Sequence, residues 1–353
     1  MDDRLICHLY EDPLERIWKA CAKNLGFEVL RSRDTFASYD GKGTILISIK
    51  EDMDPDDHLG QMIFHELCHA LVEGDEGERQ VDWGLDNRRN GNPWREHACL
   101  RTQAWISDQF GLRDFMAPTT LYRREFWAQL PEDPLSPIEG CDPRSLVSSR
   151  LAIGRYHSPR WHSPISQALE MTSRIGEVLS AQLPVQSQEN PSLWAVVKKR
   201  PPMHPLGRAA IVDGSSQKSC RECAWAIFRR TRMECRHSPG KSLCGSFSAC
   251  TRYEPRKDLN CESCGACCRE AYDTVEIRPR DPVKKIHPEL VMQRDHRWVL
   301  LREGGRCAAL AGGTHSDPLY SCRIYSERPR TCRDFDFGGI HCLEARKKVG
   351  LSI

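Results

Sequence analysis

The chain has 353 residues, 39% hydrophobic and 28% charged, the make-up of an ordinary soluble protein with room for two or three domains. No apolar run approaches the roughly 20 residues needed to cross a bilayer, which excludes a helical membrane protein. The net charge of +2 is unevenly divided: residues 1–215 carry 25 Lys+Arg against 32 Asp+Glu, and residues 216–353 carry 26 against 17.

In chain order, the opening Met1-Asp2-Asp3-Arg4 has neither a basic nor an apolar leader segment, so the expectation is a cytoplasmic protein. Leu14, Ile17, Trp18, Cys21 and Leu25 recur at helical spacing and stop at Gly26, a C-cap residue. Residues 44–49 alternate with period two and read as a strand. Asp54-Pro55-Asp56-Asp57 supplies an N-cap, a proline for the first turn and acidic charge for the helix dipole. The spacing then predicts a helix over 57–73, carrying Leu59, Met62, Ile63, Leu67, Ala70 and Leu71 and ended by Gly74. A second helix is predicted from Trp94 to Phe110. The stretch 118–165, rich in Pro, Trp and Arg, yields no element.

The first of these helices carries His65-Glu66-Leu67-Cys68-His69. Residues four apart share a helix face, so both imidazoles can reach one metal ion, with Glu66 beside it as a general base towards water. This string resembles the metal helix of the zincin metallopeptidases. A third protein ligand is required, and Glu96 at the start of the next helix is the first candidate, ahead of His97 and Asp82. Glu96, Leu100, Gln103 and Ser107 share a face of that helix. Cys68 reads as a small buried hydrophobe. The segments 64–70, Asp82-Trp83-Gly84, Glu96 and Gln103-Ala104-Trp105-Ile106 also resemble, over about 45 residues, the hydroxylase that modifies a lysine of bacterial elongation factor P. That resemblance implies oxidative chemistry with iron. Two histidines and one carboxylate suit zinc or ferrous iron.

Residues 181–215 lack periodicity and are dense in Pro, Gln and Ser, a linker signature. Thirteen of the 18 cysteines lie beyond residue 215. Cys220 and Cys223 open a middle module at 216–256 that continues with Cys235, Cys244 and Cys250. Five thiols exceed the four that close one zinc or iron–sulfur site, and His237 is a further possible ligand. A third module at 257–353 holds Cys261, Cys264, Cys267, Cys268, Cys307, Cys322, Cys332 and Cys342. With Cys322-Arg-Ile-Tyr325 and Arg328-Pro329-x-x-Cys332-Arg333, this module resembles the YkgJ-type cysteine-cluster family, which implies zinc or iron chelation. Eight thiols suit two zinc ions, or one iron–sulfur cluster with structural cysteines besides. Asp334, Asp336 and His341 read as a solvated turn. The excess of Lys and Arg here is scattered without interleaved aromatics, so it reads as compensation for thiolate charge rather than as a nucleic-acid surface.

The expected architecture is α+β: an N-terminal zincin-like α/β domain over 1–180, the linker at 181–215, and two small cysteine-rich metal-binding modules. The expected function is zinc-dependent hydrolysis of a protein or peptide, with zinc in the N-terminal site and zinc or iron, as ions or an iron–sulfur cluster, in the modules. Membrane and nucleic acid are not expected as partners. An iron-dependent hydroxylase and a non-catalytic metal carrier are the alternatives.

Overall fold

The first predicted helix forms as α1, Pro13–Asn24, with the Asp12 carboxylate accepting from the backbone N–H groups of Leu14 and Glu15. Its end is set by Gly26, whose φ of 93° disfavours any side chain. The computed structural model describes residues 7–86, 92–181, 191–211, 218–230, 232–245, 247–314 and 316–353. It divides into two units, Met1–Pro201 and Pro202–Ile353. The opening four residues, and the parts of the expected linker at 182–190 and 212–217, lie outside the described residues.

In the first unit a small sheet follows α1. Strand β3, Thr44–Ser48, lies between β1, Glu28–Ser32, which runs parallel to it, and β2, Ala37–Tyr39, which runs antiparallel. The central helix α2 spans Leu59–Gly77. It begins two residues later than expected, because its cap is His58, whose Nδ1 accepts from Gln61 N–H at 3.1 Å; Asp54–Asp57 form the preceding turn. Gly74, at φ 67°, kinks the helix where an end was expected.

Helix α2 is apolar on nearly all sides because it is surrounded. It packs against α1, against α3, Pro93–Asp108, and against α4, Pro143–Tyr156. Where α1 crosses, Gly60 is required: a Cβ there would lie 2.5 Å from the Trp18 indole. Helix α4 and the start of α5, Pro159–Ser180, lie in the stretch 118–165, for which the sequence yielded no element.

The described parts of the expected linker pack rather than span. Trp194 stacks at a tilt on Phe115 and Lys198 N–H donates to Gly111 O at 2.9 Å, so 191–201 belong to the first unit. In the second unit Ala210 bridges to Cys250. The apolar surface of Trp194 and Val197 outweighs the proline-rich composition around it.

The second unit is built from hairpins and short turns. Strands β4, Ala226–Phe228, β5, Met233–Cys235, and β6, Ser238–Leu243, form an antiparallel sheet. Further two-stranded ladders follow, ending in a helix α6, Ile340–Lys348. Leu343 of α6 packs with Cys220, Trp225 and Met233, so the two expected modules share one core. The chain is α+β, and among the described residues no helix is long and apolar enough to cross a membrane.

Candidate metal centres

In the first unit, α2 and α3 bring three predicted side chains together. His65 Nε2 lies 3.1 Å from His69 Nε2 and 3.4 Å from Glu96 Oε1; His69 Nε2 lies 3.2 Å from Glu96 Oε2. A tetrahedral ion with bonds near 2.0 Å spaces its ligands about 3.3 Å apart, so these three edges fit one ion. His69 is nearly sealed, its side chain 5% exposed. Burial alone pulls its pKa down, but the charge and hydrogen bond of Glu96, with Glu66 and Glu73, raise it. Burial pushes Glu96 up, and the charges of His65 and His69 bring it down to about 2. Lone pairs and a carboxylate buried against one another call for a cation between them.

The tautomer of His65 follows from its neighbours. Gln103 Nε2 donates to the Met116 carbonyl, which turns Gln103 Oε1 towards His65 Nδ1 at 2.8 Å. Nδ1 therefore carries the proton and Nε2 presents its lone pair to the site. Gln103 was visible in the sequence only as a residue on the Glu96 face. Cys99, one turn after Glu96, is a further neighbour that sequence reasoning passed over; its sulfur lies 3.7 Å from His65 Nδ1. His65, His69 and Cys99 offer ligand atoms within 4.8 Å of one another. The 2.8 Å bond to Gln103 Oε1 makes Nδ1 a donor, so the Cys99 sulfur belongs to the rear of the ring. Burial keeps the Cys99 and Cys68 thiols well above their ordinary pKa.

The two other candidates for the third corner are engaged elsewhere. The His97 ring lies flat on Phe126 at 3.9 Å. Asp82 Oδ1 accepts from Tyr39 N–H at 3.1 Å. Glu66 is buried, and its Oε2 accepts from the Trp83 indole at 2.7 Å. His65, Glu66, His69, Glu96 and Trp83 line a cleft of about 510 Å³, with Ala37 and Ser38 of the edge strand β2 on another wall.

In the second unit the cysteines fall into sets. Cys220, Cys223, Cys235 and Cys250 line one small cavity together with His204 and His237, whereas Cys244 is exposed. Burial first, then Cys250, Cys223 and Cys235, push Cys220 up to about 12.

The eight later thiols divide between two places. Cys264 and Cys267 pack with Ala345 and Val349, on and just beyond the helix that bears Cys342. Burial, then the neighbouring Cys342, Cys268, Cys264 and Cys261, raise Cys267 to about 12. Cys268 packs instead with Cys307 and Cys322, and its carbonyl accepts from Cys307 N–H at 2.8 Å. Burial, then Cys307, Cys332 and Cys322, raise Cys268 to about 12. Cys332 is held nearby by the turn Arg330–Arg333, where Arg330 N–H donates to Asp281 and the Thr331 hydroxyl to Glu276 O.

Arginines offset this concentration of thiols. Burial raises Cys307, Cys261 and Cys332, and arginines work against it: Arg302 and Arg323 at Cys307, Arg328 and Arg346 at Cys261, and Arg328 at Cys332. Asp334 and Asp336 are exposed, Asp334 pairing with Arg330 at 3.0 Å.

Among known proteins, no curated protein and no solved structure matches the chain. A family model, CxxCxxCC, described as a "putative zinc- or iron-chelating domain", matches residues 260–349. The segment that holds these eight thiols is therefore similar to a metal-chelating domain.

Proposed function

We propose that the first unit is a zinc-dependent hydrolase acting on peptide bonds, with His65, His69 and Glu96 as ligands and Glu66 as proton acceptor. The observation that carries this reading is Glu96, which offers one carboxylate oxygen to each imidazole. A bound zinc ion would supply Lewis acidity to water and to a substrate carbonyl. The chain's own part is positional. Gln103 keeps the proton of His65 on Nδ1, so that Nε2 stays a donor of electrons. Trp83 holds one oxygen of Glu66 and orients the carboxylate at the cleft, where it takes a proton from water and returns it to the leaving amine. Ala37 and Ser38 belong to an edge strand along that cleft, beside which an extended peptide can lie.

In residues 260–349 we assign two four-thiolate sets, Cys261, Cys264, Cys267, Cys342 and Cys268, Cys307, Cys322, Cys332, as the chelating groups. The test of the whole reading is metal content by mass spectrometry, combined with hydrolysis of a mixed peptide library by the full chain. Zinc in the first unit with hydrolysis that His65→Ala abolishes supports the hydrolase. Iron there, with no hydrolysis, replaces it by oxidative chemistry on the same three ligands.

A further inference from the structure

Four thiols before the family-matched segment converge on one cavity. Cys220 and Cys223 come from a short turn, Cys235 from the end of β5 and Cys250 from a bridge with Ala210. The cavity they line is about 20 Å³, room for one small species, since a single water needs about 10–15 Å³ on this measure. Its other walls include Leu206, Ala226, Leu243 and Ala249. A space of this size suits a single ion.

The two imidazoles at the cavity are turned the wrong way to be ligands. His204 Nδ1 accepts from Leu206 N–H at 3.1 Å, so the ring proton sits on Nε2, which points at Cys220 Sγ across 3.1 Å. His237 Nδ1 faces the Arg252 guanidinium at 3.2 Å, and arginine only donates, so its proton also sits on Nε2. His237 is further held by stacking on Trp225 at 3.9 Å. Both rings therefore carry their proton on Nε2, and that of His204 faces a sulfur, the partner an anionic thiolate wants.

We infer that Cys220, Cys223, Cys235 and Cys250 form a closed four-thiolate site for one divalent zinc or ferrous ion, with His204 as an N–H donor to the Cys220 sulfur. Binding releases four thiol protons and leaves a centre of net charge −2. Arg208, Arg252 and Lys347, whose charges all act on His237, answer that charge. Zn–S bonds of about 2.3 Å place sulfurs about 3.8 Å apart. Binding would bring the four thiols to that spacing around the ion. Cys244, exposed, is the surplus fifth thiol.

The test uses the full chain, stripped by chelator under reductant and reloaded with zinc, with metal per chain counted by mass spectrometry. Cys235→Ser is expected to lose one equivalent and Cys244→Ser none, while Cys235→His regains it by restoring a ligand to a folded site. His204→Phe is expected to keep the equivalent but to yield it to a competing chelator 10–100-fold more readily. Retention of all metal in Cys235→Ser, loss of more than one equivalent, loss in Cys244→Ser, or outright loss in His204→Phe each overturns the assignment.

Discussion

Trp83 reaches Glu66 with its indole N–H at 2.7 Å from a backbone held in the left-handed region, at φ 58°. Asp82 beside it is also left-handed, at φ 48°, and its carboxylate is tied to Tyr39 N–H. Two consecutive residues without glycine in this region cost of order 1–3 kcal/mol each, a strain that the stacking of Trp83 on Tyr39 at 3.7 Å offsets. Strain kept at a cleft wall is consistent with a side chain whose position matters for chemistry.

The roles of this pair separate by substitution. Glu66→Gln is expected to lower peptide hydrolysis by two to four orders of magnitude and to leave bound metal unchanged, because the base is not a ligand. Trp83→Phe removes only the donor and is expected to lower turnover by about tenfold, also with metal retained. Parallel metal counts and rate measurements on the two variants decide it; full activity in Glu66→Gln would sink the hydrolase together with its assigned base.

Gln103 acts through His65. Replacing it with Leu removes the acceptor that keeps the His65 proton on Nδ1, and also the donor to Met116 O. Zinc affinity of the first unit is expected to fall 10–100-fold, the usual effect of losing such a partner. Competition with a chromophoric chelator measures it, and an unchanged affinity would show that the tautomer is held by something else.

The cap of the metal helix makes the first unit sensitive to acid. Burial holds His58 down at about 4, against an ordinary 6.5, despite the charges of Asp57 and Asp12. Between those two values the unfolded chain binds the proton and the folded chain does not, so stability falls as pH drops through that window and the loss is complete below about 4. From the shift, the loss is at most about 3 kcal/mol. Asn is a good N-cap and does not titrate, so His58→Asn should flatten thermal stability between pH 6.5 and 4 and change little at pH 8. An identical acid limb in the variant would place the titration elsewhere.

Much of the first site was legible because helical spacing is a local property. The i, i+4 pair, a break at Gly74 and the approach of Glu96 follow from periodicity and caps, although the break is a kink and not the expected end. The start of α2 did not, since Asp54-Pro55 looks like a better cap than His58, and only the tertiary contact of His58 Nε2 with Phe115 O, at 3.2 Å, decides between them. Helices α4 and α5 carried signals of their own in Asp142-Pro143 and Ser158-Pro159, obscured by the surrounding prolines and arginines. The sorting of thiols was not legible at all. Which cysteine joins which set depends on chain returns of up to 81 residues, from Cys261 to Cys342, and spacing along the chain cannot report those.

The adjacent Cys267 and Cys268 bear the most direct test of that sorting. They are neighbours in sequence, yet one packs towards Cys264 and α6 and the other towards Cys307 and Cys322. Thiols pushed to about 12 stay protonated at neutral pH, so a metal ion must displace their protons, and its binding adds directly to the stability of the fold around it. Cys267→Ser is therefore expected to remove the metal of the first set and leave that of the second, and Cys268→Ser the reverse. The double substitution should empty both and make the segment after residue 260 open to limited proteolysis, with the first unit still resistant. If either single substitution empties the whole segment, the eight thiols serve one polynuclear centre, and the division into two sets is wrong.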